Sequence, residues 1–210
     1  VSDPSQWTDK EIMISVVFAG LCALVDTVVS LPFSFYSTFK IEQEHGFNTM
    51  TVRLFVADAI KSLALTAAIG GPVFAFLLAI VRFVGPQRLA TYVAAFMFCV
   101  SLFFATIYPV AIQPLFNKYE PLEDGDLKTR IFALAKTLNY PLTKLFVMDG
   151  SKRSSHSNAF MFGFGSNKRI VLFDTLIQQV EKDEIVAILG HELGHWKLGH
   201  TLVNFAVTHP

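Results

Sequence analysis

Residues 89–117 read LATYVAAFMFCVSLFFATIYPVAIQPLFN, 29 consecutive positions with no acidic or basic side chain. A helix inside a soluble protein needs a polar face for water, and this stretch has none. About 20 mainly apolar residues cross a bilayer as a helix, so the run reads as a transmembrane span. It closes on Tyr108-Pro109 and Gln113-Pro114. Upstream, Ser62 to Val81 is a second uncharged run, stopped by Arg82. Before that, Ile12 to about Tyr36 carries one charge, Asp26. No Asp or Glu occurs between Asp58 and Glu120, a gap too long for an ordinary soluble domain. The sequence therefore predicts a membrane region over 1–117 with spans at about 12–36, 62–81 and 89–117.

Composition agrees. Charged residues are 16% of the 210 and apolar residues 52%, with 21 Phe. Seventeen Lys and Arg balance seventeen Asp and Glu, which gives no bulk attraction for a phosphate polymer. Nucleic acid is excluded as a partner on this ground, and a lipid bilayer is implied. Cys22 and Cys99 lie in apolar runs and read as buried thiols, not a disulfide framework. Val1 to Lys10 has neither a basic start nor a cleavage pattern, so no signal peptide is read. Asp26 would cost about 2.5–3.5 kcal/mol in hydrocarbon, so it should face other helices or a watery cavity. Pro32 should kink or end the first helix. Lys10, Arg82 and Arg88 fall on one side of the spans. Lys40, Arg53, Lys61, Lys118, Lys128 and Arg130 fall on the other, which puts the segment after the third span in the cytosol.

From Lys118 the texture becomes α+β. Asp124 or Asp126 can cap a helix through about Leu138. Leu145 to Met148, Ser157 to Phe164 and Lys168 to Phe173 read as strands. Asp174 can cap a short helix and Asp183 a longer one. That last helix contains Gly190-His191-Glu192-Leu193-Gly194-His195, an H-E-x-x-H motif. His191 and His195 lie about 40° apart around a helix, so both imidazoles can reach one metal. Ile185, Leu189, Leu193 and Trp196 form a packing face roughly opposite. Glu192 is close enough to touch a water at that metal without being a ligand. Two imidazoles and a carboxylate suit zinc-assisted peptide hydrolysis, with Glu192 taking the water's proton and handing it to the leaving amine. A catalytic zinc needs a third protein ligand. His200 falls about 180° from His191, on the packing side. The metzincin pattern would require glycine and histidine where Leu198 and Thr201 stand. His45 and His156 remain unassigned, and the third ligand is expected beyond Pro210. Thr201 to Val207 opens another apolar run, so 118–200 is read as a cytosolic zincin-like segment and 201–210 as the start of a further span. The chain reads as a fragment, not competent alone.

Blocks dispersed along the sequence resemble the integral-membrane CaaX prenyl proteases, zinc endopeptidases that process prenylated proteins. They are Leu31-Pro32 with Tyr36 to Ile41, His45-Gly46-Phe47-Asn48, Ile107-Tyr108-Pro109, Pro114 to Lys118, Leu122 to Gly125, Ser154 to Phe160 and Gly190 to Thr201. The resemblance implies an α-helical multi-span membrane fold, seven helices around a large chamber, with a small α+β zinc-protease domain. It implies one zinc per chain on His191 and His195, a catalytic Glu192, and a glutamate third ligand downstream. It makes Ser157 to Phe160 an edge strand that pairs with extended substrate, with Asn158 and Ala159 as contacts. The implied substrate is a prenylated CaaX protein or peptide. The implied location is the endoplasmic reticulum membrane, with the inner nuclear membrane as the alternative. The connection between Asp174 and Asp183 is short where some members carry a long charged insertion. Competing readings are a membrane quality-control metalloprotease and a non-catalytic membrane scaffold.

Overall fold

The structure is a computed structural model that describes residues 9–163, 165–200, 203, 204 and 207. Expectations about the first eight residues, about Phe164 and about most of 201–210 lie outside those residues. The chain divides into two compact units, one of Val1–His45 and Met50–Phe103, the other of Gly46–Thr49 and Phe104–Pro210.

The first unit is helical. Helix α1 covers Asp9–Tyr36 and continues as a wider π-helical turn over Ser37–Glu42. Helix α2, Val52–Leu65, passes through a second π-helical turn at Thr66–Gly70 into α3, Gly71–Phe83. Helix α4, Pro86–Ile107, runs on into the second unit through a third such turn at Tyr108–Ile112. Three continuous helices result, Lys10–Glu42, Val52–Phe83 and Pro86–Leu115, each long and apolar enough to cross a bilayer. Their most apolar windows have mean hydropathies of 2.4, 2.2 and 2.1, and protein buries none of those residues. Side chains that apolar without a protein core around them are matched to lipid as solvent. The same fact corrects the reading of the cysteines: Cys22 and Cys99 are free but exposed on their helices.

Two further expectations change. The second helix begins at Val52, not Ser62, where the Thr51 side chain accepts from the Leu54 amide at 3.3 Å. Asp58 and Lys61 therefore lie inside it, one turn apart, with Nζ and Oδ1 separated by 4.0 Å. Pro32 does not end α1 either. The helix passes through it, and the backbone widens five residues later, at Ser37. Pro109 sits inside the third widened turn and Pro72 two residues after the second. A proline removes one amide from the ladder, and a widened turn is a common way for a helix to accommodate the defect. Phe35, Phe39 and Phe55 pack where α1 nears its end, with ring centroids 4.5–5.7 Å apart. Asp26 faces a groove of about 420 Å³ between α1 and α2, which it lines with Thr27, Ser30, Ser34, Asp58 and Ser62.

The second unit holds a four-stranded sheet in the order β1-β2-β4-β3, from Tyr119–Pro121, Leu142–Met148, Lys168–Phe173 and Ala159–Phe162 respectively. β2 and β4 are parallel, and the outer strands pair antiparallel to them. Helices α5 (Asp126–Thr137), α6 (Asp174–Gln179) and α7 (Lys182–Lys197) share the core with one sheet face. Leu127, Ile131 and Ala135 of α5 meet Leu145, Ile170 and Leu172 of the sheet and Ile185, Leu189 and Leu193 of α7. Alternation along β4 sends Ile170 and Leu172 inward. Neither aspartate proposed as a cap for α5 is one: Gly125 holds that position, while Asp124 accepts from Lys128 at 2.7 Å. Strand β3 starts at Ala159, two residues later than expected, and just upstream the carbonyls of Ser155 and His156 are engaged by Gln179 and Thr175.

Leu189 is fully buried in this core. Leu189→Ala should cost about 2–5 kcal/mol. It is read as a lowered midpoint of thermal unfolding in detergent, and an unchanged midpoint would contradict the packing described.

Candidate metal and peptidase site

Helix α7 is built to be rigid. Glu181, not Asp183, is its N-cap. Its carboxylate and that of Glu184 reciprocally satisfy backbone amides at the helix start, with the Glu181 amide 3.1 Å from Glu184 Oε2. Asp183 instead pairs with Arg130 of α5. Ile185, Leu189 and Leu193 are completely buried, and Trp196 meets Tyr140 edge-on with centroids 4.8 Å apart. Burial pushes the Tyr140 hydroxyl up to about 12. With that face locked in the core, His191 and His195 are turned outward and exposed, and Glu192 is half-buried beside them.

The two histidine Nε2 atoms are 3.0 Å apart, with ring planes at 88°. Two nitrogens bound to one tetrahedral zinc at about 2.0–2.1 Å stand roughly 3.3 Å apart, so the pair fits that ion with a few tenths of an ångström of adjustment. Neutral imidazoles are also the right donors for it. Among the described residues no cluster of three or more potential ligands is arranged around one point. His45 Nδ1 lies 2.8 Å from the Ile41 carbonyl, and His156 stacks on Phe47 with centroids 4.3 Å apart.

The structure places His200 elsewhere than a continued helix would. Helix α7 stops at Lys197, and Gly199 takes φ +71°, the left-handed conformation that ends helices at glycine. The Gly199 amide bonds the Trp196 carbonyl at 3.0 Å, and the chain turns back on itself. His200 is thereby brought to His195, with Nδ1 to Nδ1 at 2.7 Å. Leu198-Gly199 after the last apolar turn is the signal that could have found this stop.

The other expected contacts separate into two roles. Asn158 lies just before β3; its carbonyl accepts from the Phe173 amide at 3.0 Å, so that group is used inside the sheet. Its side-chain oxygen accepts from the Ala159 amide at 2.8 Å. β3 is an edge strand of the sheet, bonded only to β4 among the described residues. Antiparallel alternation then directs the Ala159 carbonyl and both backbone groups of Met161 to the open edge. Sequence reading had passed over Met161.

Comparison with known proteins decides the family. Residues 2–118 match the model described as "CAAX prenyl protease N-terminal, five membrane helices", and residues 121–209 match Peptidase family M48. The chain belongs to the M48 family of CaaX prenyl proteases. It is 54% identical to the CAAX prenyl protease 1 homolog of Arabidopsis thaliana, over 94% of this chain and 46% of that protein. It is 49% identical to CAAX prenyl protease 1 of Saccharomyces cerevisiae, over 92% and 42%. Against the Homo sapiens homolog the figures are 41%, 95% and 50%. The crystal structure of S. mikatae Ste24p matches with a TM-score of 0.88 at 49% identity, covering 92% of this chain and 46% of that one. The chain thus spans about half the length of the relatives it matches. The expected fold class holds for this M48 chain: a multi-pass helical membrane protein with a small α+β domain.

Proposed function

We propose that this chain is part of a membrane zinc endopeptidase that removes the C-terminal tripeptide of isoprenylated CaaX proteins. The observation that carries the reading is the outward-facing His191–His195 pair on a helix whose other face is locked in the core, with Glu192 between them. It is supported by membership of a peptidase family and by relatives named CAAX prenyl protease. One zinc per chain would be held by His191 and His195 with a third ligand from outside the described residues. When bound, zinc supplies the Lewis acidity that makes water a nucleophile near neutral pH and polarises the scissile carbonyl.

The chain's own residues do the rest. His191 and His195 present Nε2 lone pairs, which requires each ring proton to sit on Nδ1. The Glu192 carboxylate accepts the proton of the attacking water and delivers it to the leaving amide nitrogen. The open edge of β3 holds an extended substrate by strand addition, through the Ala159 carbonyl and the Met161 backbone. Asn158 fixes the start of that edge by occupying the Ala159 amide. The location we propose is the endoplasmic reticulum membrane or the contiguous inner nuclear membrane. The peptidase segment faces the cytosol, on the bias of Lys40, Arg53, Lys118, Lys128 and Arg130 over Lys10, Arg82 and Arg88. Lys61 is left out of that comparison because it lies further from the end of its helix than Arg53 or Arg82.

The test uses the full-length protein in detergent with zinc and two forms of one CaaX peptide, prenylated and not. Cleavage of the prenylated form alone is expected. Equal cleavage of both would replace this reading with a broad membrane metalloprotease. A zinc-loaded protein that cleaves neither would remove the enzyme reading, leaving a membrane scaffold.

A further inference from the structure

We propose that His200 is a positioning residue for the metal pair, accepting a hydrogen bond from His195 Nδ1 so that His195 is held in the tautomer and orientation that offers Nε2 to the ion. The proposal rests on the reading of His191 and His195 as metal ligands. The geometry is specific. His195 has a different histidine on each ring nitrogen: His191 Nε2 at 3.0 Å from its Nε2, and His200 Nδ1 at 2.7 Å from its Nδ1. The two neighbours are on different nitrogens of one ring, so His200 does not reach the point between the two Nε2 atoms.

The proton bookkeeping then has one solution. If His195 Nε2 keeps its lone pair for a cation, the ring's single proton is on Nδ1. At 2.7 Å that N–H donates to His200 Nδ1, which accepts, and the proton of His200 is on its own Nε2. The reverse arrangement, with His200 donating, would put the His195 proton on Nε2 and close that nitrogen to a metal. An outer partner on the second nitrogen of a ligating histidine fixes its tautomer and raises its basicity, and losing such a partner typically weakens metal binding about 10–100-fold.

Placement of His200 is written into the local chain. Gly199 at φ +71° has open space where a side chain would project, so its role is conformational rather than steric. Its amide closes the turn on Trp196, itself anchored on Tyr140. The turn that ends α7 is thus braced by the same aromatic contact that locks the helix into the core. His200 is exposed and contributes nothing to that core, so replacing it leaves the fold intact.

The experiment measures zinc affinity of the full-length protein by competition with a chelator, for the native sequence, His191→Ala, His200→Leu and His200→Asn. Asparagine puts an acceptor oxygen close to where the histidine Nδ1 stood; leucine does not. The expected result is a 10–100-fold weaker affinity for His200→Leu and near-native affinity for His200→Asn. Unchanged affinity in His200→Leu would overturn the proposal. So would equal weakening in both variants, which would mean that bulk or packing and not the acceptor matters. Complete loss of zinc in His200→Leu would overturn it by making His200 a ligand. His191→Ala separates the two levels: if it retains native affinity, the ligand reading itself has failed.

Discussion

Glu192→Gln is expected to keep zinc and to lose turnover by about 10²–10⁴-fold, the usual contribution of a general base. The amide matches the carboxylate in shape but cannot accept the water's proton. Glu192 is half-buried on a helix whose neighbouring positions Leu189 and Leu193 are fully buried, so the substitution replaces one polar side chain by an isostere without disturbing the core. Zinc content by elemental analysis and cleavage of a prenylated CaaX peptide are measured on the same full-length preparation. Near-native turnover would remove Glu192 from the mechanism. Loss of the metal together with activity would make it a ligand instead.

His191→Ala and His195→Ala should each lose zinc itself, and with it all measurable hydrolysis. Their Nε2 atoms are the only pair of imidazole nitrogens among the described residues that face one another at a spacing near that of shared ligation through Nε2. Either alanine leaves a single imidazole on α7 at that point, and one imidazole with the third ligand is too small a set to retain a labile divalent ion against a chelator. Stoichiometric zinc surviving dialysis in either variant would show that other residues bind it. Both side chains are exposed, so folding should be unaffected, and unchanged helical circular dichroism in detergent provides the control.

Much of this was legible because the determinants are local. An uncharged run of 29 residues can be little else than a span, and H-E-x-x-H on a helix puts two imidazoles on one face whatever the tertiary context. What escaped the sequence was decided by contacts or by single dihedral angles. Asp58 and Lys61 look like the polar flank of a span, yet at i,i+3 they neighbour each other inside a helix and the apolar window simply starts later. Asp124, Asp126 and Asp183 are all good capping residues, but each carboxylate lies near a cation: Asp124 near Lys128, Asp126 near both Arg130 and Lys182, and Asp183 near Arg130. β1, Tyr119–Pro121, is three residues long and ends in proline, so it has no periodicity to read and exists only through pairing with β2. His200 was assigned to the wrong side of the helix because one glycine in the left-handed region reverses the chain before it.

The groove between α1 and α2 has an electrical consequence. A bilayer insulates because its interior holds no mobile charge and almost no polarisable dipoles. Asp26, Asp58 and a row of serine and threonine hydroxyls lie along one groove of about 420 Å³ between two membrane-length helices. Polar groups at that density need water or one another, and a space of that size admits several waters. With water in it, the groove would make the insulating slab locally thinner than the lipid around it, and the membrane voltage would fall across a shorter distance there. A potential difference of 100 mV is worth about 2.3 kcal/mol for each elementary charge that crosses it. Any charged segment drawn along that groove would therefore feel the membrane voltage as a steep local field, instead of one spread over the full bilayer thickness.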